Sequence, residues 1–273
     1  MFNVMRAVGV CLFLCVAPIA AATPGSPTDA HGATPGGALG PDASIDQVLD
    51  ALDALGDRLQ TLSADVEKVE IDADLGEDPA NADARLGKVV YQRLEDGDVR
   101  IRASFDQVRS GGKVRPDRVE YLLQGGELID RNYRGRSEVR RVVRRPGERI
   151  DLFRLGKGPF PLPIGQAKED VHAEFEVTRA PAAGGEPGAD APPDTIHLRL
   201  TPRAETELAR DFSSIDVWVH RSDHLPRRVE TLSATGAKLI RTDLRNVRLN
   251  APLSDADFSL EKVDESRWNI SRE

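Results

Sequence analysis

The sequence has few cysteines and few aromatic residues. Its two cysteines, Cys11 and Cys15, both fall within residues 1–22, a segment that we interpret as a secretory signal. The remaining chain would contain no cysteine, which excludes disulfides, a thiolate nucleophile and a zinc site built from thiolates. Aromatic residues make up 5% of the 273 residues, so any core must be mainly aliphatic.

Residues 1–22 show the three parts of a secretory signal. Arg6 supplies the basic start, residues 8–16 are apolar, and residues 20–22 offer a small-residue cleavage site. The apolar run is too short for a comfortable membrane span, and Pro18 interrupts it. We therefore expect the chain to be exported.

Signals for nucleic-acid binding and for enzyme chemistry are missing. The formal net charge of -8 argues against a nucleic-acid partner. There is no Gly-x-Ser-x-Gly elbow, Walker loop or Gly-x-Gly-x-x-Gly motif. His220 and His224 lie four residues apart, a spacing that suits a metal on a helix, but here a predicted turn separates them. We expect no enzyme activity, no cofactor and no metal, while a secreted enzyme that uses these two histidines stays open as a third hypothesis.

The sequence does contain runs in which apolar and polar residues alternate. In residues 87–106, Val99, Ile101 and Phe105 fall on one side of a strand, whereas Arg100 and Arg102 fall on the other. Short alternating runs separated by Gly-containing turns recur to residue 249, which is typical of an antiparallel barrel or sandwich. We expect a mainly β (α+β) fold whose sheet curves around an apolar cavity.

An amphipathic helix precedes the strands. Ser44 and Gln47 form a predicted capping box, and Gly56 is a plausible end of the helix. A Pro/Gly-rich loop at residues 156–165 carries apolar side chains that need burial. We expect helix and loop to form a lid over the cavity, with these lid residues: Ile45, Val48, Leu49, Leu52, Phe160 and Leu162.

The domain organisation follows from composition. We expect a signal at 1–22, a disordered linker at 23–43, one domain at 44–263 and a C-terminal tail at 264–273. Residues 180–193 are rich in Ala, Gly and Pro, and we interpret them as a mobile insertion within the domain. Nine arginines in residues 131–154 could bind phosphate or lipid headgroups, but solvated strand faces are the favoured interpretation.

The order of several motifs resembles the periplasmic outer-membrane lipoprotein carrier family (LolA-like). The capped helix comes first, and the segment GKVVYQRL at 87–94 resembles the family's Lys-Arg-Pro strand. The segment LTPR at 200–203 resembles its Leu-Thr-Pro-Lys segment, and Asp255–Phe258 resembles its Asp/Asn-x-x-Phe ending. The resemblance covers most of residues 44–260.

This resemblance implies an unclosed antiparallel β-barrel of about eleven strands, with a helical lid over a hydrophobic cavity. It implies a periplasmic carrier that binds the acyl chains of lipoproteins or other lipids and ferries them towards the outer membrane. Release machinery at the inner membrane and an acceptor at the outer membrane would be its partners, and we expect a monomer. By position, Arg93 corresponds to the family arginine that helps to control lid opening and transfer.

We expect the alternating strand residues to line the cavity, although an ordinary packed core is the competing interpretation. A second hypothesis gives the same fold a sensor or interaction role, in which acyl signals or a protein partner regulate an envelope response without transfer. The candidate lining residues are Val89, Tyr91, Val99, Ile101, Phe105, Val119, Tyr121 and Leu123.

Overall fold

The computed structural model describes residues 37–79, 81–95, 98–143, 164–180 and 191–273. Within these ranges, twelve strands form one sheet, and two α-helices pack against it. The helices are α1 (Ile45–Arg58) and α2 (Lys168–Glu174). The strands are β1 (Thr61–Asp72), β2 (Asp83–Arg93), β3 (Val99–Ser110), β4 (Lys113–Gln124), β5 (Glu127–Asn132), β6 (Ser137–Val142), β7 (Phe175–Arg179), β8 (Thr195–Pro202), β9 (Phe212–His220), β10 (Pro226–Ser233), β11 (Lys238–Leu249) and β12 (Asn269–Arg272).

The strand order is β12-β6-β5-β4-β3-β2-β1-β11-β10-β9-β8-β7. All neighbours are antiparallel except β12 and β6, which are parallel. The two end strands, β12 and β7, do not pair with each other, so the sheet is open. The predicted mainly β fold with an unclosed sheet is confirmed. The resemblance implied about eleven strands; β12 lies in the segment that we expected to be a tail.

The registers of β2, β3 and β4 define the two faces of the sheet. Tyr91 lies opposite Ile101, and Ile101 lies opposite Leu123, so the alternation in β3 continues across its neighbours. We call the face that carries these side chains and contacts α1 the inner face. Arg100 and Arg102 point to the opposite, outer face.

Helix α1 begins with the predicted capping box. The backbone N–H of Gln47 donates to Ser44 Oγ at 3.2 Å, and the N–H of Ser44 donates to Gln47 Oε1 at 2.8 Å. The helix continues through Gly56 to Arg58, so the predicted end at Gly56 is wrong by two residues. The glycine instead permits a close contact between the backbones at Gly56 and Gly165. No helix within the described ranges is long and apolar enough to cross a membrane.

The boundaries of the domain differ from the composition-based expectation at both ends. Residues 37–43, which we expected to lie in the linker, contact the sheet: the N–H of Leu39 donates to Arg221 O at 2.8 Å, and Ala43 is buried. The remainder of the linker, the signal segment, most of the 180–193 insertion and residues 144–163 lie outside the described residues. Helix α2 falls inside the predicted 166–175 segment.

Gly87 lies at a register shift between β2 and β3, where the two backbones come very close. A Cβ atom at this position would lie 1.9 Å from Ser104 O and 2.7 Å from Phe105 Cα. We predict that Gly87→Ala lowers the free energy of unfolding by about 1–3 kcal/mol, because the strands must separate to admit the methyl group. Urea unfolding followed by circular dichroism measures this change.

Gly135→Ala is the matched control, since the nearest atoms to its Cβ would be 3.5 Å away, in ordinary contact. Equal changes in both variants would contradict the interpretation.

Candidate functional site

The N-terminal half of α1 covers the inner face of β8, β9 and β10. The predicted lid residues Val48, Leu49 and Leu52 are at most 2% exposed, and Ile45 is partly buried. They pack in one apolar cluster with the inner side chains of these strands, with Val171 of α2 and with Phe175 of β7. The strand residues in this cluster are Ile196, Leu198, Leu200, Ile215, Val217, Val219 and Val229.

Seven of the eight predicted lining residues belong to a second apolar cluster, under the other end of the helix, whereas Val119 is buried outside it. Six of them, Val89, Tyr91, Ile101, Phe105, Val119 and Leu123, are at most 8% exposed, whereas Val99 and Tyr121 are half-buried. The side chains that cover these clustered residues are Leu55, Leu59, Ile164 and Leu225. The structure therefore brings seven of the eight lining residues together, but places them beneath the end of α1 rather than beneath Val48, Leu49 and Leu52.

Both clusters are closely packed in this structure. A void that admits water would leave its lining side chains accessible, but Tyr91, Ile101 and Leu123 are at most 2% exposed. Two cavities of about 350 and 410 Å³ lie elsewhere, beside Pro192, and are lined by polar groups such as His220 and His197. The expected open cavity is thus filled here by the chain's own side chains. Any apolar ligand at the inner face must displace part of α1.

Arg93 joins the end of β2 to the end of α1. Its guanidinium donates hydrogen bonds to Gly56 O and, at 3.4 Å, to Asp57 O. Its backbone N–H donates to Gln60 O at 2.8 Å. The last carbonyls of a helix lack partners within the helix and carry partial negative charge, so a cation is favourable there. Arg93 is the predicted site residue with a direct polar contact to the lid helix.

Gly56 places α1 in backbone contact with the segment that follows the predicted lid loop. A Cβ atom on Gly56 would lie 2.2 Å from Gly165 Cα, and the N–H of Gly165 donates to Leu52 O at 3.1 Å. The neighbouring Ile164 is 2% exposed and belongs to the second cluster. Phe160 and Leu162 lie outside the described residues. The contact requires glycine at both positions, since Gly165 also has a positive φ of 71°.

The other polar contacts of α1 lie at the surface. Lys168 Nζ is 3.0 Å from the Asp50 carboxylate, and His172 Nε2 is 3.0 Å from Asp46 Oδ1. All four side chains are substantially solvated, so each pair contributes little stability. The N-terminal half of the helix is held mainly by apolar contact.

His224 lies at the C-terminal end of α1 and is 3% exposed. Its Nε2 is 3.2 Å from Gly37 O, and its Nδ1 is 3.4 Å from Arg58 Nη2. Both contacts suit a neutral ring that donates from Nε2 and accepts at Nδ1. Burial lowers the pKa of His224 and Arg58 lowers it further, against the opposing effect of the Gly37 carbonyl. His220 contacts Asp223 instead, so the two histidines are not arranged as a pair.

Several residues of this site have no assigned role in the sequence analysis. The alternation of Ile215, Val217 and Val219 predicts a strand, and it would also have indicated a second apolar surface for α1. The contacts of Gly56 with Gly165 and of His224 with Arg58 join residues far apart in the chain. No local pattern predicts them.

No protein-family model and no curated protein matches the chain. A solved complex of MucA and MucB from Pseudomonas aeruginosa contains a chain 13% identical, with a TM-score of 0.43 and coverage of 79% of this chain and 60% of that one. An outer membrane lipoprotein-sorting protein domain from Vibrio parahaemolyticus is 15% identical (TM-score 0.35, coverage 78% and 94%). A LolA superfamily protein from Nitrosomonas europaea is 12% identical (TM-score 0.27, coverage 80% and 99%).

The buried His224 predicts a pH-dependent stability. An unfolded histidine has a pKa of about 6.5, so below that pH the unfolded chain binds more protons than the folded chain, whose His224 pKa is lowered. The free energy of unfolding should therefore fall as the pH decreases below about 6.5. Urea unfolding of the wild type and of His224→Gln is measured from about pH 5 to pH 8, the range in which histidine titrates. The contribution of His224 is the difference between the two plots of unfolding free energy against pH.

His172→Gln is the matched control, because the His172 side chain is 39% exposed and its partner is the solvated carboxylate of Asp46. The interpretation is wrong if the profile of His224→Gln runs parallel to that of the wild type.

Proposed function

We propose that this protein is an exported, periplasmic carrier that binds acyl chains of lipoproteins or other lipids at the inner face of its sheet. The observation that carries the proposal is the apolar inner face, whose two clusters are covered mainly by one amphipathic helix with its specific polar attachments near its C-terminal end. In this proposal the structure is the closed state, and α1 occupies the site until a ligand takes its place.

The free energy gained by burying the apolar side chains of α1 is comparable to that gained by burying an acyl chain. Burying one large aliphatic side chain is worth about 1.5–3 kcal/mol, so Val48, Leu49, Leu52 and Leu55 together contribute roughly 6–12 kcal/mol. An acyl chain of about 14 methylenes, at about 0.8 kcal/mol each, gains about 11 kcal/mol on burial. A ligand can therefore replace the helix without a large net change, which is what reversible loading and release require.

Each group of residues has a role in this proposal. The eight predicted lining residues and the inner side chains of β8, β9 and β10 would contact the acyl chain. Ile45, Val48, Leu49 and Leu52 would leave the sheet when the ligand enters. Arg93 would act as a latch on the C-terminal end of α1, because its hydrogen bonds to backbone carbonyls there would have to break before the helix uncovers the second cluster. Release machinery at the inner membrane and an acceptor at the outer membrane would be the partners.

A sensor is the second candidate function. The packed state of the inner face favours it, because ligand binding would necessarily change the position of α1 and could signal to a protein partner. The two candidates differ in transfer: a carrier passes its ligand to acceptor membranes, whereas a sensor binds the ligand and retains it. Transfer of a labelled lipoprotein between vesicle populations distinguishes them.

We predict that the full chain binds a fluorescent long-chain fatty acid saturably. Val99→Glu should weaken this binding at least about tenfold, because a carboxylate at the half-buried edge of the second cluster disfavours an apolar chain. Fluorescence titration measures the dissociation constant, and native mass spectrometry of the purified protein detects bound lipid.

Val114→Glu is the matched control, since Val114 also lies on a strand but is 56% exposed. A folded wild-type chain without saturable binding would exclude the proposal, and equal weakening by both variants would place the ligand elsewhere.

Arg93→Leu should slow ligand release about tenfold, because α1 then competes less effectively with the ligand for the inner face. The variant removes the charged hydrogen bonds to Gly56 O and Asp57 O, and bonds of this kind contribute about 1.5–3 kcal/mol, less at a half-exposed site. Stopped-flow displacement of the fluorescent fatty acid measures the release rate.

Arg248→Leu on β11 is the control, because Arg248 is exposed on the same sheet. An unchanged release rate in Arg93→Leu would remove Arg93 from lid control while leaving ligand binding itself intact.

A further inference from the structure

The C-terminal residues 251–273, which we call the strap, cross the outer face of the sheet. The strap contains two 3₁₀ turns, Asp255–Phe258 and Glu265–Arg267, and ends in β12. Strand β12 pairs in parallel with β6 over four residue pairs, from Asn269–Ser137 to Arg272–Arg140. The strap therefore covers the open edge of the sheet at β6.

The outer face beneath the strap carries more arginines than carboxylates. Arg102 and Arg118 both contact Glu120, which is 0% exposed. Burial alone would raise the pKa of Glu120, but the hydrogen bonds from Tyr133 and Arg102 outweigh it and lower the pKa. Arg100 donates to the neutral Gln92, at 2.7 and 3.0 Å. The sheet by itself thus leaves this surface positively charged.

The same imbalance recurs one strand further along. Arg131 and Arg140 both contact Glu138, at 2.5 and 2.6 Å, and Glu138 is also 0% exposed. Two buried carboxylates are therefore shared among four arginines, and the solvated carboxylates of Asp106 and Glu127 lie 4.0 Å from Arg118 and Arg140. Arg100 and Arg131 are the buried arginines of this surface, and a buried cation needs acceptors for its donors, so these two require further anionic or carbonyl groups.

The strap supplies those acceptors. Asp255 Oδ1 accepts from Arg100 at 2.8 Å, and the Glu261 carboxylate accepts from Arg118 at 2.8 Å. Carbonyl oxygens complete the set, since Asp257 O accepts from Arg102 at 3.2 Å and Glu261 O accepts from Arg131 at 2.7 Å. Residues 251–273 contain six acidic and three basic side chains, a charge opposite to that of the surface.

Two aromatic side chains of the strap lie against the same arginines. The Arg100 guanidinium lies 4.1 Å from the Phe258 ring centroid, and Arg131 lies 5.7 Å from that of Trp268. Trp268 also packs edge-to-face on Tyr133, at 5.3 Å between centroids. The surface therefore recognises acidic groups, backbone carbonyls and aromatic rings together.

The strap nevertheless makes few buried apolar contacts with the sheet. Phe258 is its one buried side chain, and the other residues of 251–273 are exposed or half-buried. The two carboxylates that bind arginine, Asp255 and Glu261, are themselves 94% and 64% exposed. Segments with few buried apolar contacts and short strand pairing open at low free energy. The strap can therefore leave the surface while the sheet stays folded.

We propose that the strap is an internal ligand, and that the surface beneath it binds an acidic, aromatic-containing extended segment of a partner protein, which pairs in parallel with β6. The arginine excess, the aromatic contacts and the edge strand all remain available once the strap is displaced, and all favour such a segment. This site lies on the face opposite the apolar clusters, so it is independent of the proposed lipid binding.

Because the strap is attached to the chain, a partner segment must compete with it for the surface. An attached segment competes at a high effective concentration, on the order of millimolar for a short flexible connection. A free segment with the same contacts should therefore bind weakly to the intact chain and much more tightly when the strap is weakened. Phe258→Ala provides that weakening in the full chain, because it removes the one buried side chain of the strap.

The probe is a labelled synthetic peptide with the sequence of residues 255–273. We expect it to bind full-length Phe258→Ala at least about tenfold more tightly than the wild type, measured by fluorescence anisotropy. Adding Arg100→Gln to Phe258→Ala should reverse the gain, whereas adding Arg248→Gln, on an exposed arginine of β11, should not. A scrambled peptide of the same composition controls for charge alone.

Circular dichroism first establishes that the Phe258→Ala chain keeps its strand content. The proposal is overturned if the peptide does not bind this folded chain, if Arg100→Gln leaves its affinity unchanged, or if the scrambled peptide binds equally well. Vesicles of phosphatidylglycerol test the other occupant of a basic surface. If they bind Phe258→Ala and the peptide does not displace them, the surface is a lipid site and the proposal is wrong.

Hydrogen exchange of the wild-type chain provides an independent check. We expect the amides of Asn269–Arg272 to exchange far faster than those at the centres of β3 and β4. Equal protection in both regions would show that the strap opens only with global unfolding, which contradicts the proposal.

Discussion

The packing of α1 on the inner face is the contact on which the rest of the structure depends. An open sheet with one apolar face must bury that face against another layer, and in the described residues this layer is mainly one helix. The helix contacts both β8–β10 and the β1–β4 half, so it joins the two parts of the sheet that lie on either side of β11. If the helix moves, both clusters lose their cover together.

The two faces of the sheet are stabilised by different kinds of interaction. The inner face is held by apolar burial, which has no preferred direction, so another apolar molecule can replace the helix. The outer face is held by directional bonds between arginines and two buried carboxylates, Glu120 and Glu138. Because buried charges require partners, only another anionic segment can take the place of the strap there. In the two proposals, each face therefore takes a different class of ligand.

Local patterns predicted the elements but not their assembly. The capping box at Ser44 and the alternation of β3 depend on residues close in the chain, and both are present in the structure. Gly56 shows where such reasoning fails: a glycine near the end of a helix pattern resembles a stop signal, but here it permits contact with Gly165, 109 positions later (165 − 56). The tail residues 269–272 carry too little apolar alternation to be predicted as a strand, and they become one because the edge of β6 offers free backbone groups.

Because side-chain periodicity is a local property, the residue pattern predicts an aliphatic, mainly β domain with one amphipathic helix and apolar strand faces. Which side chains contact one another depends on the tertiary structure. It placed Val48, Leu49 and Leu52 over β8–β10 rather than over the predicted lining, filled the inner face, and directed Arg93 to the end of α1. Those outcomes depend on strand order and on the path of the helix across it, and both are set by contacts between distant parts of the chain.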